Sequence, residues 1–312
     1  MRPDLASRDL LTASTHAMAC DIEVTVVGPH DGAESAVQRA VEVFAEVDRT
    51  CSRFRAGSDL TRLNADPQSW HAVSRECFLS VVEAHAAHIR TSGRFDPRIH
   101  DDLVAAGYAH SVTAQKLDGG APRVRPALAP WDPDFDWSRS RVRAGAHRID
   151  LGGIAKGLAV RWASQLLTDA GAGHLVEAGG DLTVAGTAPD GEHWRIAVED
   201  PASGETAAVL ALTDLAVATS STRARSWDTT VGRAHHLIDP DTGMPGGTGL
   251  RAVTVVDSDP ARAEVWTKQL FLCGDATVER AARQLGLAAL WFDEGGAMHH
   301  SPAMAQHLVW TR

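Results

Sequence analysis

The chain has 312 residues and is 44% hydrophobic, enough to bury a large core in one sizeable domain or two fused lobes. Its formal charge of -10 and pI near 5.8 argue against a nucleic-acid surface, because phosphate-backbone binding needs clustered Lys and Arg. No window approaches the roughly 20 consecutive apolar residues of a bilayer span, so no membrane crossing is expected.

At the N-terminus, Asp4 and Asp9 fall where a secretory signal would need an uninterrupted apolar stretch, which points to a cytoplasmic protein with residues 1–17 as an extension. Residues 20–28, CDIEVTVVG, are rich in β-branched side chains and predict a strand ending at Gly28-Pro29. From Ala33, the apolar residues Val37, Ala40, Val41, Phe44, Val47 and Cys51 recur at helical spacing. A second amphipathic helix fits 75–91 and stops at Ser92-Gly93; His85 and His88 read as ordinary residues of it. Between 111 and 145 the texture turns to Gly, Pro, Trp and Asp with little periodicity, which predicts a connection between lobes.

The second stretch predicts a strand over 147–151, a helix over 154–170, and strands near 174–178, 182–186, 194–199, 207–212 and 215–219. After a loop at 220–234 come strands at 235–238 and 251–257, helices at 260–273 and 276–285, and strands at 288–292 and 307–311. This mixed order implies an α+β fold rather than a regular doubly wound sheet. Cys20, Cys51, Cys77 and Cys273 lack metal-ligand spacing and read as reduced thiols. Lysine occurs only at positions 116, 156 and 268 among 30 basic residues. A lysine kept in an arginine-rich chain marks either a place needing a compact ammonium or chance retention at the surface.

Three segments offer chemistry. Ile149-Asp150-Leu151-Gly152-Gly153-Ile154-Ala155-Lys156-Gly157 runs through a Gly pair into a helix, where orphan amides and the macrodipole favour an anion and Lys156 adds a positive charge. It reads as a phosphate cradle or as a plain tight turn, and it matches neither the P-loop nor the G-x-G-x-x-G spacing. Glu177-Ala178-Gly179-Gly180-Asp181 places Gly and Asp directly after a strand, where backbone can approach a ligand or simply turn. His235-His236-Leu237-Ile238-Asp239-Pro240-Asp241-Thr242-Gly243 does the same and adds His236, either a satisfied core histidine or a base for a hydroxyl nucleophile.

Taken in order, GGIAKG, EAGGD, ATSS followed by arginines, and HHLIDPDTG resemble the FAD:protein FMN transferase (ApbE-like) family. The resemblance extends back through Ser52-Arg53-Phe54, SDLTRLN and Arg94-Phe95-Asp96-Pro97 and forward to Ala263–Gly274, covering about 18–274 in lobes of 18–110 and 146–274, with 275–312 completing the fold. It implies an α+β fold of mixed or antiparallel sheets with flanking helices, bound FAD, and transfer of FMN to a Ser or Thr of an acceptor flavoprotein with release of AMP. It further implies that Met18 and Phe54 pack on the adenine, with Phe95 and Asp96 nearby. Asp150, Gly152, Gly153 and Lys156 lie by the ribose and diphosphate. Gly179, Gly180, Asp181, Thr219, Ser220, Ser221, His236, Leu237 and Asp239 complete the flavin nucleotide site. His236, Lys156 and Lys268 carry the chemistry.

The family places an Asp and a Thr as magnesium ligands where this chain has Glu264 and Lys268. Glu at i and Lys at i+4 is also an ordinary surface salt-bridge pattern. Either Lys268 replaces the metal, or the ion shifts toward the Gly153 or Ala155 carbonyl and the Glu264 carboxylate. Two other functions share these residues: hydrolysis of FAD to FMN and AMP, and FAD binding without catalysis.

Overall fold

The computed structural model describes residues 9–109, 126, 128–223, 225–229 and 232–312. Strands β1 (Leu10–Ala17) and β2 (Cys20–Val27) precede helices α1 (Ala33–Cys51) and α2 (Asp59–Ala65). Strand β3 (His71–Ala72), helices α3 (Arg75–Arg90) and α4 (His100–Ala105), and strands β4 (Asp134–Asp136) and β5 (Arg141–Arg143) lead to helix α5 (Ala155–Gln165). Then come β6 (Gly173–Ala178), β7 (Asp181–Gly186), β8 (Trp194–Glu199), β9 (Thr206–Leu212) and β10 (Leu215–Ser221). Short strands β11 (Ser226–Thr229), β12 (Gly232–His235), β13 (Ile238–Asp239) and β14 (Met244–Pro245) precede β15 (Leu250–Asp257). Helices α6 (Pro260–Leu272) and α7 (Asp275–Leu285) and strands β16 (Ala288–Asp293), β17 (Met298–His300) and β18 (Leu308–Thr311) close the chain.

The α+β architecture centres on one eight-stranded sheet in the order β1-β2-β6-β7-β10-β15-β16-β17, antiparallel at each pairing. Alternation along the strands sends side chains to two different cores. Ile22, Val24 and Val26 of β2 join Phe44 and Val47 of α1 and Leu158 of α5 on the helical side. Leu182 and Val184 of β7 and Leu290 and Phe292 of β16 pack instead on Ile196 and Leu210 of the small sheet β18-β9-β8. Val253 and Val255 of β15 face α6 and α7.

Several expected boundaries move, each for a physical reason. Residues 10–17, read as extension, form β1 and hydrogen-bond along β2. Residues 147–151 form no strand: Ile149 exchanges both backbone bonds with the Asn64 side chain, and the Asp150 N–H donates to the Pro97 carbonyl, so no ladder is left to make. Helix α5 stops at Gln165 instead of 170. The 220–234 segment holds the hairpin β11-β12, with Trp227 buried against Tyr108. In the expected connection, whose residues 111–125 and 127 lie outside the described ones, Trp131 is a core residue and β4 and β5 pair.

His88, expected to be an ordinary helix residue, is buried; its Nε2 accepts the Trp131 N–H at 3.0 Å and its Nδ1 lies 3.1 Å from the Phe95 carbonyl. Two other histidines, His174 buried and His235 half-buried, make stability fall with acid. Burial pushes His174 and His235 down to about 4. Between an unfolded value near 6.5 and about 4, the unfolded chain takes up protons that the folded one refuses, at up to roughly 3 kcal/mol for each histidine. Thermal melts should therefore fall steadily as pH drops through that window, and His174→Gln should flatten the slope.

Candidate active site

A cavity of about 610 Å³ opens where the β1-β2 turn, the end of α1, the 94–99 loop, the 150–156 turn, the 236–238 segment and the end of α6 meet. Its lining includes Met18, Phe54, Phe95, Asp96, Asp150, Gly152, Gly153, Ala155, Lys156, His236, Leu237 and Lys268, so most of the residues singled out in sequence do converge. Six cations (Arg53, Arg55, Arg94, Lys156, Arg225, Lys268) and three carboxylates (Asp48, Asp96, Asp150) line it; the partners of Arg94, Lys156 and Lys268 (Asp239, Asp181 and Glu264) stand outside the lining, so cationic heads outnumber carboxylates on the wall itself. Such a lining favours an anionic ligand.

At one rim, Met18 and Ala19 form the two-residue turn between paired Ala17 and Cys20, with φ of 53° and 59°. Hairpin turns of this kind normally use Asn-Gly, and holding side chains there costs of order 1 kcal/mol per residue. Here that conformation brings Met18 to the cavity. Elsewhere in the lining, the Arg53 guanidinium lies 4.1 Å from the Phe54 ring centre and 4.6 Å from that of Tyr108, forming a flat cationic and aromatic wall. Phe54 is 40% exposed, so a planar ring could be added to the stack.

The glycine turn is built more tightly than expected. Asp150 accepts the Gly152 N–H at 2.8 Å and Arg53 Nε at 2.7 Å. At the start of α5, Glu264 Oε2 accepts the Gly157 N–H at 2.8 Å, so this orphan amide holds a carboxylate of the protein itself. A side chain at Gly157 would lie 2.6 Å from Ala261 Cα, which is why α5 and α6 touch here. The Gly153 N–H has no acceptor among the described residues and remains open to an anion.

Lys156 Nζ pairs with Asp181, which is 2% exposed and also accepts the Thr219 N–H at 3.0 Å. Lys268 Nζ lies 3.2 Å from both the backbone carbonyl and Oε1 of Glu264. Helix α6 is thus no surface helix, and Glu264, 2% exposed, has one oxygen on Gly157 and the other facing an ammonium. This donor set does not fit magnesium, which needs oxygen ligands close in and retains waters. Among the described residues no group of three His, Cys, Asp or Glu could hold a metal ion.

His236 sits on the cavity wall with Nδ1 and its own N–H both 3.3 Å from the Arg225 carbonyl. That contact fits an Nδ1–H donor, leaving the Nε2 lone pair free. Burial above all, then the charges of Arg225 and Lys268, hold the imidazole well below its ordinary pKa, so it is neutral at physiological pH. Arg94 ties this region down: its guanidinium donates to Asp239 at 3.2 Å, to Asp241 at 2.8 Å and to the Leu272 carbonyl at 2.7 Å.

Gly179, Gly180, Asp181, Thr219, Ser220, Ser221, Asp239 and Glu264 do not line the cavity. Gly179 and Gly180 make the β6-β7 turn with φ of 56° and 87°, and a side chain at Gly179 would strike Cys20 Cβ at 2.7 Å. Thr219 Oγ1 meets Thr254 Oγ1 at 2.9 Å, Ser220 Oγ meets Thr267 Oγ1 at 2.7 Å, and Ser221 Oγ accepts the Arg223 N–H. Of the eight, Asp181, Glu264 and Asp239 hold the lining side chains of Lys156, Lys268 and Arg94. Asp96 reaches the cavity with its carboxylate held bidentate by Arg98. Sequence reasoning missed Tyr108, Arg225 and the bridging role of Arg94; the Arg94-Phe95-Asp96-Pro97 stretch drew notice, but the partners of Arg94 are 145 or more residues away.

A sequence profile of the ApbE family matches residues 18–291. The chain is similar to the FAD:protein FMN transferase of Klebsiella pneumoniae, 29% identical over 302 residues, which are 92% of this chain and 86% of that protein. It is also similar to the FAD:protein FMN transferase of Vibrio cholerae, 28% identical over 252 residues, 75% of this chain and 72% of that protein. Among solved structures, the ApbE protein of Thermotoga maritima superposes with a TM-score of 0.85 at 25% identity, covering 96% of this chain and 99% of that one. The flavinyl transferase ApbE of Pseudomonas stutzeri, in its apo form, shares the fold at a TM-score of 0.80 and 24% identity, covering 99% and 100%.

Proposed function

The chain belongs to the ApbE family, and from that premise we propose that it is an FAD:protein FMN transferase acting on a Ser or Thr hydroxyl of an acceptor flavoprotein. The observation that carries this reading is a neutral His236 on the wall of a cavity that is otherwise rich in cations. Attack of the acceptor oxygen on the FMN-side phosphorus forms a phosphoester bond, the bond to the bridging oxygen breaks, and AMP leaves. His236 Nε2 takes the hydroxyl proton and later releases it to solvent or product.

Phosphoryl transfer depends mainly on positioning and charge stabilisation. The open Gly153 amide, Lys156, Arg225 and Lys268 support the diphosphate reading, because all four line the cavity and offer it donors and charge. Phe54, Tyr108 and Met18 offer flat and soft surfaces suited to a nucleotide ring. Magnesium, implied by the family resemblance, finds no fitting donors at Glu264 and Lys268, and no step is routed through it. Four free thiols support placing this chemistry in a reducing compartment, the cytoplasm.

Incubation with FAD and a flavin-acceptor domain, followed by intact-protein mass spectrometry and nucleotide chromatography, tests the reading. We expect an adduct of one FMN less water on the acceptor and one AMP per adduct. Free FMN with unmodified acceptor would identify a hydrolase instead, and intact FAD after long incubation a binding protein.

A further inference from the structure

Resting on the FAD reading above, we propose that this chain holds and activates the diphosphate without a divalent cation, the Lys268 ammonium anchored on Glu264 supplying the charge. Three observations carry it. Glu264, at the position where the family resemblance implies a metal ligand, has both oxygens engaged: Oε2 by the Gly157 amide at 2.8 Å, Oε1 by Lys268 at 3.2 Å; Asp150, beside the same turn, is likewise held by the Gly152 N–H and Arg53. A divalent ion would have to displace an ammonium and a helix N-terminal amide from a side chain only 2% exposed to water.

The second observation is steric. A Cβ added to Gly153 would lie 3.0 Å from Phe95 Cε2, 3.1 Å from Lys268 Cε and 3.3 Å from Cδ, so the lysine stem packs with Phe95 against the turn whose N–H remains open. The lysine stem and the Gly153 turn therefore share one stretch of the cavity wall. The third is placement: Lys268 and His236 line the same cavity, and the Lys268 charge is among those that, after burial, depress the imidazole. A compact, strongly hydrated point charge is what a lysine offers and the arginine preferred elsewhere in this chain does not. Atoms balance as in metal-assisted transfer, since the ammonium makes and breaks no covalent bond.

The test is isothermal titration of FAD into the full chain, in chelator and in millimolar magnesium. We expect the same Kd within about twofold in both. Lys268→Met should weaken FAD binding by about tenfold or more in either buffer, the value of a charge-assisted hydrogen bond, and Lys268→Arg should recover part of the loss. The double variant Glu264→Gln/Lys268→Met removes both buried charges together; it should melt near the parent temperature yet bind FAD as weakly as Lys268→Met.

Affinity that collapses in chelator and returns with magnesium would overturn this inference while leaving the transferase reading intact. Full affinity in the double variant would overturn it too. Failure to bind FAD in both buffers would overturn the functional reading itself, and this inference with it.

Discussion

His236→Ala is expected to lower FMN transfer by roughly 10²- to 10⁴-fold, the range for removing a positioned general base, with FAD affinity little changed. Among the described residues the imidazole's hydrogen bond is the one from Nδ1 to the Arg225 carbonyl, and no lining cation depends on it for a partner, so deleting it leaves the cation-lined wall in place. Rapid-quench assays of AMP release and adduct mass would separate the two quantities. Undiminished transfer by the variant would remove His236 from the mechanism. The acid limb of transfer should lie below the usual histidine range, because burial, Arg225 and Lys268 favour the neutral ring. Losing the Lys268 charge should move that limb upward in pH.

Lys156→Met should destabilise the fold by about 3–5 kcal/mol, the scale for stripping one partner from a buried ion pair. Asp181 would keep the Thr219 amide but lose its ammonium while remaining 2% exposed. Denaturant titration of the single variant and of Lys156→Met/Asp181→Asn tests the cause. The double variant should regain most of the loss, since no unpaired charge is left inside. A single-variant loss below about 1 kcal/mol would mean the pair is effectively solvated.

What could be read from the sequence depended on whether partners were local. Helix α1 announced itself because Val37, Ala40, Phe44, Val47 and Cys51 recur on one face, and that face is buried. The glycine turn stands out by its residues, but the strand expected over 147–151 does not form. Nothing in HRIDL shows that Asn64, 85 residues earlier, satisfies Ile149 in place of a neighbouring strand. His88 was invisible for the same reason: its partners, the Phe95 carbonyl and the Trp131 amide, carry no side-chain signature. The EAGGD glycines read equally as a ligand contact or a turn, because tight turns and close ligand approach ask for the same residue; the structure shows them in the β6-β7 hairpin. Glu264 and Lys268 were paired from their spacing alone, but burial turned a surface motif into an interior one.

Arg94 joins stretches of chain that are synthesised far apart, reaching 145 residues to Asp239 and 178 to Leu272. Contacts so distant in sequence form only after long loops have closed, which makes them late events in folding. A nascent chain that has not yet delivered α6 from the ribosome therefore has no finished floor beneath its nucleotide site. Cofactor capture belongs to the completed polypeptide, and free flavin nucleotide in the cell should not engage its growing precursors.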